Sequence, residues 1–256
     1  MGLDIAYARQ FRQRLGFSGE KEAVDFLGAK DIRAPVDSQY IDDLLDRLID
    51  VFARLNRNVH SSVTQPDIDR FCQKNITAIY ETIKNHDILP TLNNQGRRPE
   101  EVLFSWLRGF ATAQYFQSAI ELAFGAVAIE AIGDDNYTSK ETFRRSAKAD
   151  FSVHLPGGAS LRVEAQAAFQ KINDIKQHKV IEARRLWEQE RVHTWVAHFS
   201  IYSGQAAFVG LDSIPDNDIQ WITRQQMEGQ TVWNIGAEDF AWKMTERVPQ
   251  VDFDPQ

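Results

Sequence analysis

Apolar positions in the first half of the chain recur every three to four residues, whereas in the second half they alternate. Over 40 to 57, Ile41, Leu44, Leu45, Leu48, Ile49, Phe52 and Leu55 follow the 3.6-residue period of an amphipathic helix. Helices are also expected over 4 to 16, ending near Gly16, and over 19 to 28, capped by Ser18 and stopped by Gly28. A helix from about 64 to 85 takes Pro66 near its first turn. Residues 89 to 98 read as a loop, and 99 to 132 as one or two apolar helices stopped by Gly133.

Beyond a polar connection at 134 to 142 the period changes to two. Two alternating runs flank Pro156-Gly157-Gly158 and predict a β-hairpin. A charged helix over 173 to 191 follows, with Asn173 or Asp174 as N-cap. Residues 193 to 201 and 206 to 211 read as strands. A helix near 215 to 228 and a tail rich in Trp and acids complete the chain. The pattern implies an α+β fold, with a helical subdomain over 1–98 packed on an α/β core over 99–256, the two forming either separate units or one continuous domain.

Composition narrows the classes. Hydrophobic residues make up 43% and charged residues 25%, as in an ordinary globular protein. No apolar run reaches the ~18 residues of a membrane span, and no basic-then-apolar leader opens the chain, so a cytoplasmic location is expected. One cysteine, Cys72, excludes a disulfide framework and reads as a core residue. The net charge is −7, yet residues 140 to 192 hold 11 Lys and Arg against 7 Asp and Glu. That segment is locally +4 and leaves −11 to the remainder, so a nucleic-acid surface, if present, lies there.

The same segment carries the candidate chemistry. Folding the hairpin about its turn brings Asp150 opposite residues 164 to 166, and Glu164 and Gln166 share a strand face. Two carboxylates and an amide converge, a donor set suited to a hard divalent cation such as Mg²⁺. A glutamate within Leu-Arg-Val-Glu-Ala-Gln-Ala-Ala-Phe needs a partner; that partner is either a metal or Arg162 on the same face. The histidines do not cluster, and the nucleophile elbow, the P-loop and the Rossmann glycine fingerprint are absent.

The layout D-x13-E-x-Q on a hairpin, followed by a helix and a strand, resembles the PD-(D/E)XK nuclease superfamily over roughly 117 to 212. Val163-Glu164-Ala165-Gln166 resembles the E-x-Q variant of a subgroup of type II restriction endonucleases. The resemblance implies a restriction-endonuclease-like mixed sheet, with Asp150 and Glu164 as Mg²⁺ ligands and the Ala165 carbonyl as a further oxygen. Gln166 stands where the superfamily usually has Lys. An amide orients water but neutralises no charge, so Lys148 or Lys171 is a candidate substitute. The superfamily's further helix acid maps to Glu121, with Glu130 as the weaker candidate; the alternative for each is a packed structural acid.

The implied activity is Mg²⁺-dependent cleavage of double-stranded DNA at a short specific site. Arg144, Arg145, Lys148, Lys171, Lys176 and Lys179 would contact phosphates, and Asn173 and Gln177 bases or phosphates. A symmetric site is most simply cut by a homodimer, and a restriction enzyme implies a companion DNA methyltransferase. The alternatives are a repair or recombination nuclease of the same fold, or a catalytically silent adaptor binding DNA or protein.

Overall fold

The computed structural model describes residues 4–92, 97–133, 137–139, 149–224 and 230–253. Its described part is α+β, with helices gathered toward the N-terminus and a mixed six-stranded sheet toward the C-terminus.

Helices α1 (Ile5–Arg14) and α2 (Glu20–Leu27) precede the long α3 (Ser38–Asn58). Asp37 caps α3 by accepting the Tyr40 N–H at 3.1 Å, and Ile41, Leu45, Leu48 and Phe52 form its buried stripe. The helix expected over 64 to 85 is interrupted. It comprises α4 (Ile68–Cys72), a π-helical turn over Gln73–Thr77 and α5 (Ala78–Asn85), with Asp67 at the N-cap, so Pro66 lies just before the helix rather than in its first turn. Likewise Gly19, not Ser18, occupies the N-cap of α2; the Ser18 backbone and hydroxyl both donate to Glu22. Cys72 is buried, as expected, and burial pushes its thiol up to about 11.

The apolar run over 99 to 132 divides into α6 (Pro99–Tyr115), α7 (Gln117–Phe124) and a strand, β1 (Ala128–Ala131). Gly125, at φ 58°, ends α7 in the left-handed conformation that glycine adopts without strain. The helix therefore stops eight residues before Gly133, and Glu130 lies on a strand rather than a helix.

The hairpin forms as the alternation predicts, with β2 (Phe151–His154) antiparallel to β3 (Ser160–Ala168). Gly157 and Gly158 both take φ near 90°, which admits the tight reversal. The charged segment differs from expectation at its start. Residues Asp174–Lys176 form strand β4, and only then does α8 (Gln177–Glu190) begin, with Lys176 at the cap position and no side-chain cap bond. Strands β5 (Thr194–Ser200) and β6 (Gln205–Gly210) occupy their expected places. The helix expected near 215 to 228 does not form among the described residues; β7 (Trp221–Arg224) pairs there with β8 (Gln230–Asn234).

The main sheet runs β1-β2-β3-β5-β6-β9, with β9 at Trp242–Lys243, and a second sheet runs β4-β8-β7. Strands β3 and β5 are parallel, linked by the crossover containing α8; the other pairs in the main sheet are antiparallel. One face of the main sheet, with Val163, Ala197 and Phe199, joins the helices in a buried cluster from Ile41 to Val248. Phe116, at the α6–α7 joint, stacks on Phe199 at 4.2 Å between ring centroids. The opposite face, with Val196 and Val209, is covered by Val180 and Ala183 of α8 and by Trp233 of the second sheet. No described helix is long and apolar enough to cross a membrane.

Candidate active site

The hairpin register fixes the first pair. Phe151 lies opposite Val163, so Asp150, one residue earlier, comes level with Glu164. Asp150 is also tied across: its Oδ2 accepts the Ala165 backbone N–H at 2.8 Å. Its own carbonyl accepts the Ile132 N–H at 2.9 Å, which fastens the end of β1 to the same point. The carboxylate is thus held against the backbone between Glu164 and Gln166, as the loop-length count along the hairpin predicts.

Glu164 points from the middle of β3 toward α8, where the Lys179 ammonium meets its Oε1. Both side chains are largely buried, at 14% and 17% exposure. Burial pushes the Glu164 carboxyl above the usual carboxylate range, and the Lys179 charge and hydrogen bond oppose that shift. Arg162, the alternative to a metal as partner of Glu164, instead reaches Glu190 at the end of α8, at 3.1 Å. Lys179, expected among the phosphate contacts, is the actual partner of Glu164.

A cavity of about 10 Å³, room for about one water, adjoins this pair. Glu164, Lys179, Glu182 and Thr194 line it, and the Thr194 hydroxyl has no hydrogen-bond partner among the described residues. Sequence reasoning passed over Glu182. Its position three residues after Lys179, on the same helix side, was the available signal. Its carboxyl is held below the usual range, chiefly by the Arg185 guanidinium.

Gln166 enters a different network. Its Nε2 donates to the Asp174 carbonyl at 2.7 Å. The Asp174 side chain, 1% exposed, takes two bonds from Arg224, at 2.7 and 3.1 Å, and one from Asn234 at 2.8 Å. His198, lateral to Gln166 in the β3–β5 register, bonds the Asn173 side-chain oxygen at 2.9 Å. The amide therefore bridges the main sheet to the second one. Asn173, expected to contact bases or phosphates, spends its side-chain oxygen on His198.

The remaining expected residues are dispersed. Glu121 lies on α7, 3.3 Å from Gln117, and Glu130 on β1 lies 3.7 Å from His154. Among the described residues no group of three His, Cys, Asp or Glu is arranged to hold a metal, so Glu121 does not join Asp150 and Glu164 in one. Lys171 sits over the Tyr202 ring at 5.9 Å rather than against Glu164. Lys176 ends β4, and Gln177 opens α8. Arg144, Arg145 and Lys148 lie outside the described residues.

His198 makes the network sensitive to pH. It is fully buried, and burial lowers its pKa to about 4, while the nearby Asp174 charge acts the other way. Asn173, Asp174 and the Phe240 ring face it. A depressed folded pKa contributes stability above the unfolded value of about 6.5, which is lost as pH falls toward 4. Urea unfolding should show a loss on the order of 2 kcal/mol between pH 7 and pH 5 from this group. In His198→Gln that step should shrink; an unchanged step would place the titration elsewhere.

No family model matches the chain, and no curated protein sequence matches it. Among solved structures, a Holliday junction resolvase from the archaeal hyperthermophile Archaeoglobus fulgidus superposes with a TM-score of 0.31 and 9% identity. The overlap covers 50% of this chain and 86% of the resolvase. A superposition that loose sets no residue against residue.

Proposed function

We propose that the protein is a divalent-metal-dependent nuclease acting on double-stranded DNA. The observation that carries the reading is the Asp150 carboxylate bonded to the Ala165 N–H, level with a largely buried Glu164 whose counter-charge is a lysine. Both carboxylates offer hard oxygen donors. Mg²⁺ is commonly held by one or two carboxylates, with water and substrate phosphate completing its shell, so two acids without a third fit such an ion. When bound there, a divalent ion would supply an activated water and offset charge on the phosphate.

The chain's own groups then divide the work. Asp150 and Glu164 hold the cation. Lys179, once Glu164 is neutralised otherwise, presents its ammonium to a phosphate oxygen. It is the positive charge that Gln166 does not provide, and it takes the place sequence reasoning gave to Lys148 or Lys171. Gln166 holds the strand in position through Asp174.

The E-x-Q resemblance favours a type II restriction enzyme, cutting a short symmetric site as a homodimer alongside a DNA methyltransferase of the same specificity. A repair or recombination nuclease is the other member of this class. The Lys179–Glu164 contact also favours one non-enzymatic reading, an adaptor in which the two form a purely structural ion pair. Incubation with Mg²⁺ and either plasmid or branched DNA separates the three. Discrete plasmid fragments support the restriction enzyme, cutting confined to the branched substrate supports the recombination nuclease, and binding without cutting supports the adaptor.

A further inference from the structure

Arg98, Arg162, Arg184, Arg185 and Arg224 each meet a carboxylate. Arg108 meets none among the described residues. It is half-buried on α6, which packs on β3, and its guanidinium carbon lies 4.6 Å from the Phe169 ring centroid and 5.5 Å from that of Phe104. Desolvation lowers its pKa, and the charge of Arg97 adds to that effect. A partly desolvated cation is costly unless something compensates. Phenylalanine faces offer only modest relief, and an apolar side chain of similar length would fill the same slot between the rings without the penalty.

The surroundings point to an anion. Phe169 follows the last residue of β3, and two residues further on Lys171 lies over Tyr202, whose backbone N–H approaches the Ala168 carbonyl at 3.4 Å. Two cations on aromatic platforms thus flank the carboxyl end of β3, beside the parallel strand β5.

We propose that Arg108 binds a phosphodiester of the DNA backbone at the carboxyl end of β3, away from the scissile position. The identity of the ligand rests on the nuclease reading above; free inorganic phosphate shares the chemistry. The guanidinium, without a carboxylate partner among the described residues, is then a binding group held at some expense to stability.

The test is duplex binding by fluorescence anisotropy without divalent metal, between about 50 and 200 mM salt, together with thermal unfolding of the DNA-free protein. Arg108→Met keeps length and apolar contact but removes the charge. It should weaken duplex binding about tenfold, reduce the salt slope by about one, and leave the DNA-free melting temperature equal or higher. Arg108→Lys should recover most of the slope. Wild-type affinity and slope in Arg108→Met, with the wild type binding duplex, overturn the inference and leave the nuclease reading standing. A lowered melting temperature in Arg108→Met overturns it as well, since Arg108 is then a packing residue. If the wild type binds neither this duplex nor a branched one, the nuclease reading falls and the phosphodiester assignment with it. Stabilisation by inorganic phosphate that Arg108→Met abolishes, without duplex binding, assigns the site to free phosphate and also contradicts the proposal.

Discussion

Lys179→Met should both destabilise the protein and stop DNA cleavage. The substitution keeps the aliphatic stem of a side chain that is only 17% exposed, but it strips Glu164 of its counter-charge. Removing one partner of a buried pair costs about 3 kcal/mol or more, because the other charge is left uncompensated. The cost should depend on pH in a defined direction. With the ammonium gone, only burial acts on Glu164, and burial raises its carboxyl pKa. A raised folded pKa favours the protonated form, so the deficit is small below the unfolded value near 4.3 and grows as pH rises above it. Urea unfolding at pH 5 and pH 8 checks this. Adding Glu164→Gln should restore much of the lost stability while leaving the protein inactive. A deficit independent of pH would mean that Lys179 contributes by packing alone.

Asp174→Ala is expected to have the second large effect. Asp174 joins three elements: its side chain gathers Arg224 and Asn234 of the second sheet, and its carbonyl accepts from Gln166 of the main sheet. Loss of the carboxylate leaves a guanidinium and an amide without their acceptor. Arg224 is 31% exposed and can turn partly to water, which places the cost at the low end of the range for a broken buried pair, about 3 kcal/mol. For a chain of this length that corresponds to roughly 6 to 12 °C in melting temperature. Asp174→Asn keeps one acceptor oxygen and should lose less. Calorimetry of both variants decides the matter; an Asp174→Ala protein that melts with the wild type would remove this residue from the framework.

The hairpin was legible in the sequence because a period of two, a Pro-Gly-Gly reversal and a count of residues from the turn suffice to set Asp150 opposite residues 164 to 166, and the observed register brings it level with Glu164. The stripe of α3 was legible for the corresponding reason at the helical period. Strand β1 was not. Ala126 to Ile132 is a short apolar run, which reads equally as buried helix or buried strand, and the left-handed turn at Gly125 decides between them. Asn173 or Asp174 reads as a helix cap because such a residue ahead of a charged helix ordinarily is one, yet Asp174 lies on β4. Its actual partners, Arg224 and Asn234, lie 50 and 60 residues away.

The candidate site shows the same division. Asp150 and Glu164 are related by a local register that sequence determines. Lys179 reaches Glu164 only because α8 packs over the sheet, and Gln166 reaches Asp174 only because the second sheet docks beside it. Both contacts depend on tertiary placement. The stripe Lys179, Glu182, Ala183 and Leu186, spaced for one helix face, is the local hint that Lys179 faces inward.

Metal-dependent cutting by the wild type and by Asp150→Asn tests the central claim most directly. Asparagine is the informative substitution because its side-chain oxygen can still accept the Ala165 N–H, whereas alanine would leave that donor unpaired at a cost of about 1–3 kcal/mol. The fold is therefore retained while one carboxylate charge is removed. The wild type should cut duplex or branched DNA when Mg²⁺ is supplied and not when it is chelated, and Asp150→Asn, folded and still binding DNA, should not cut. Cutting by Asp150→Asn at the wild-type rate, or wild-type cutting that persists in chelator, would contradict the account.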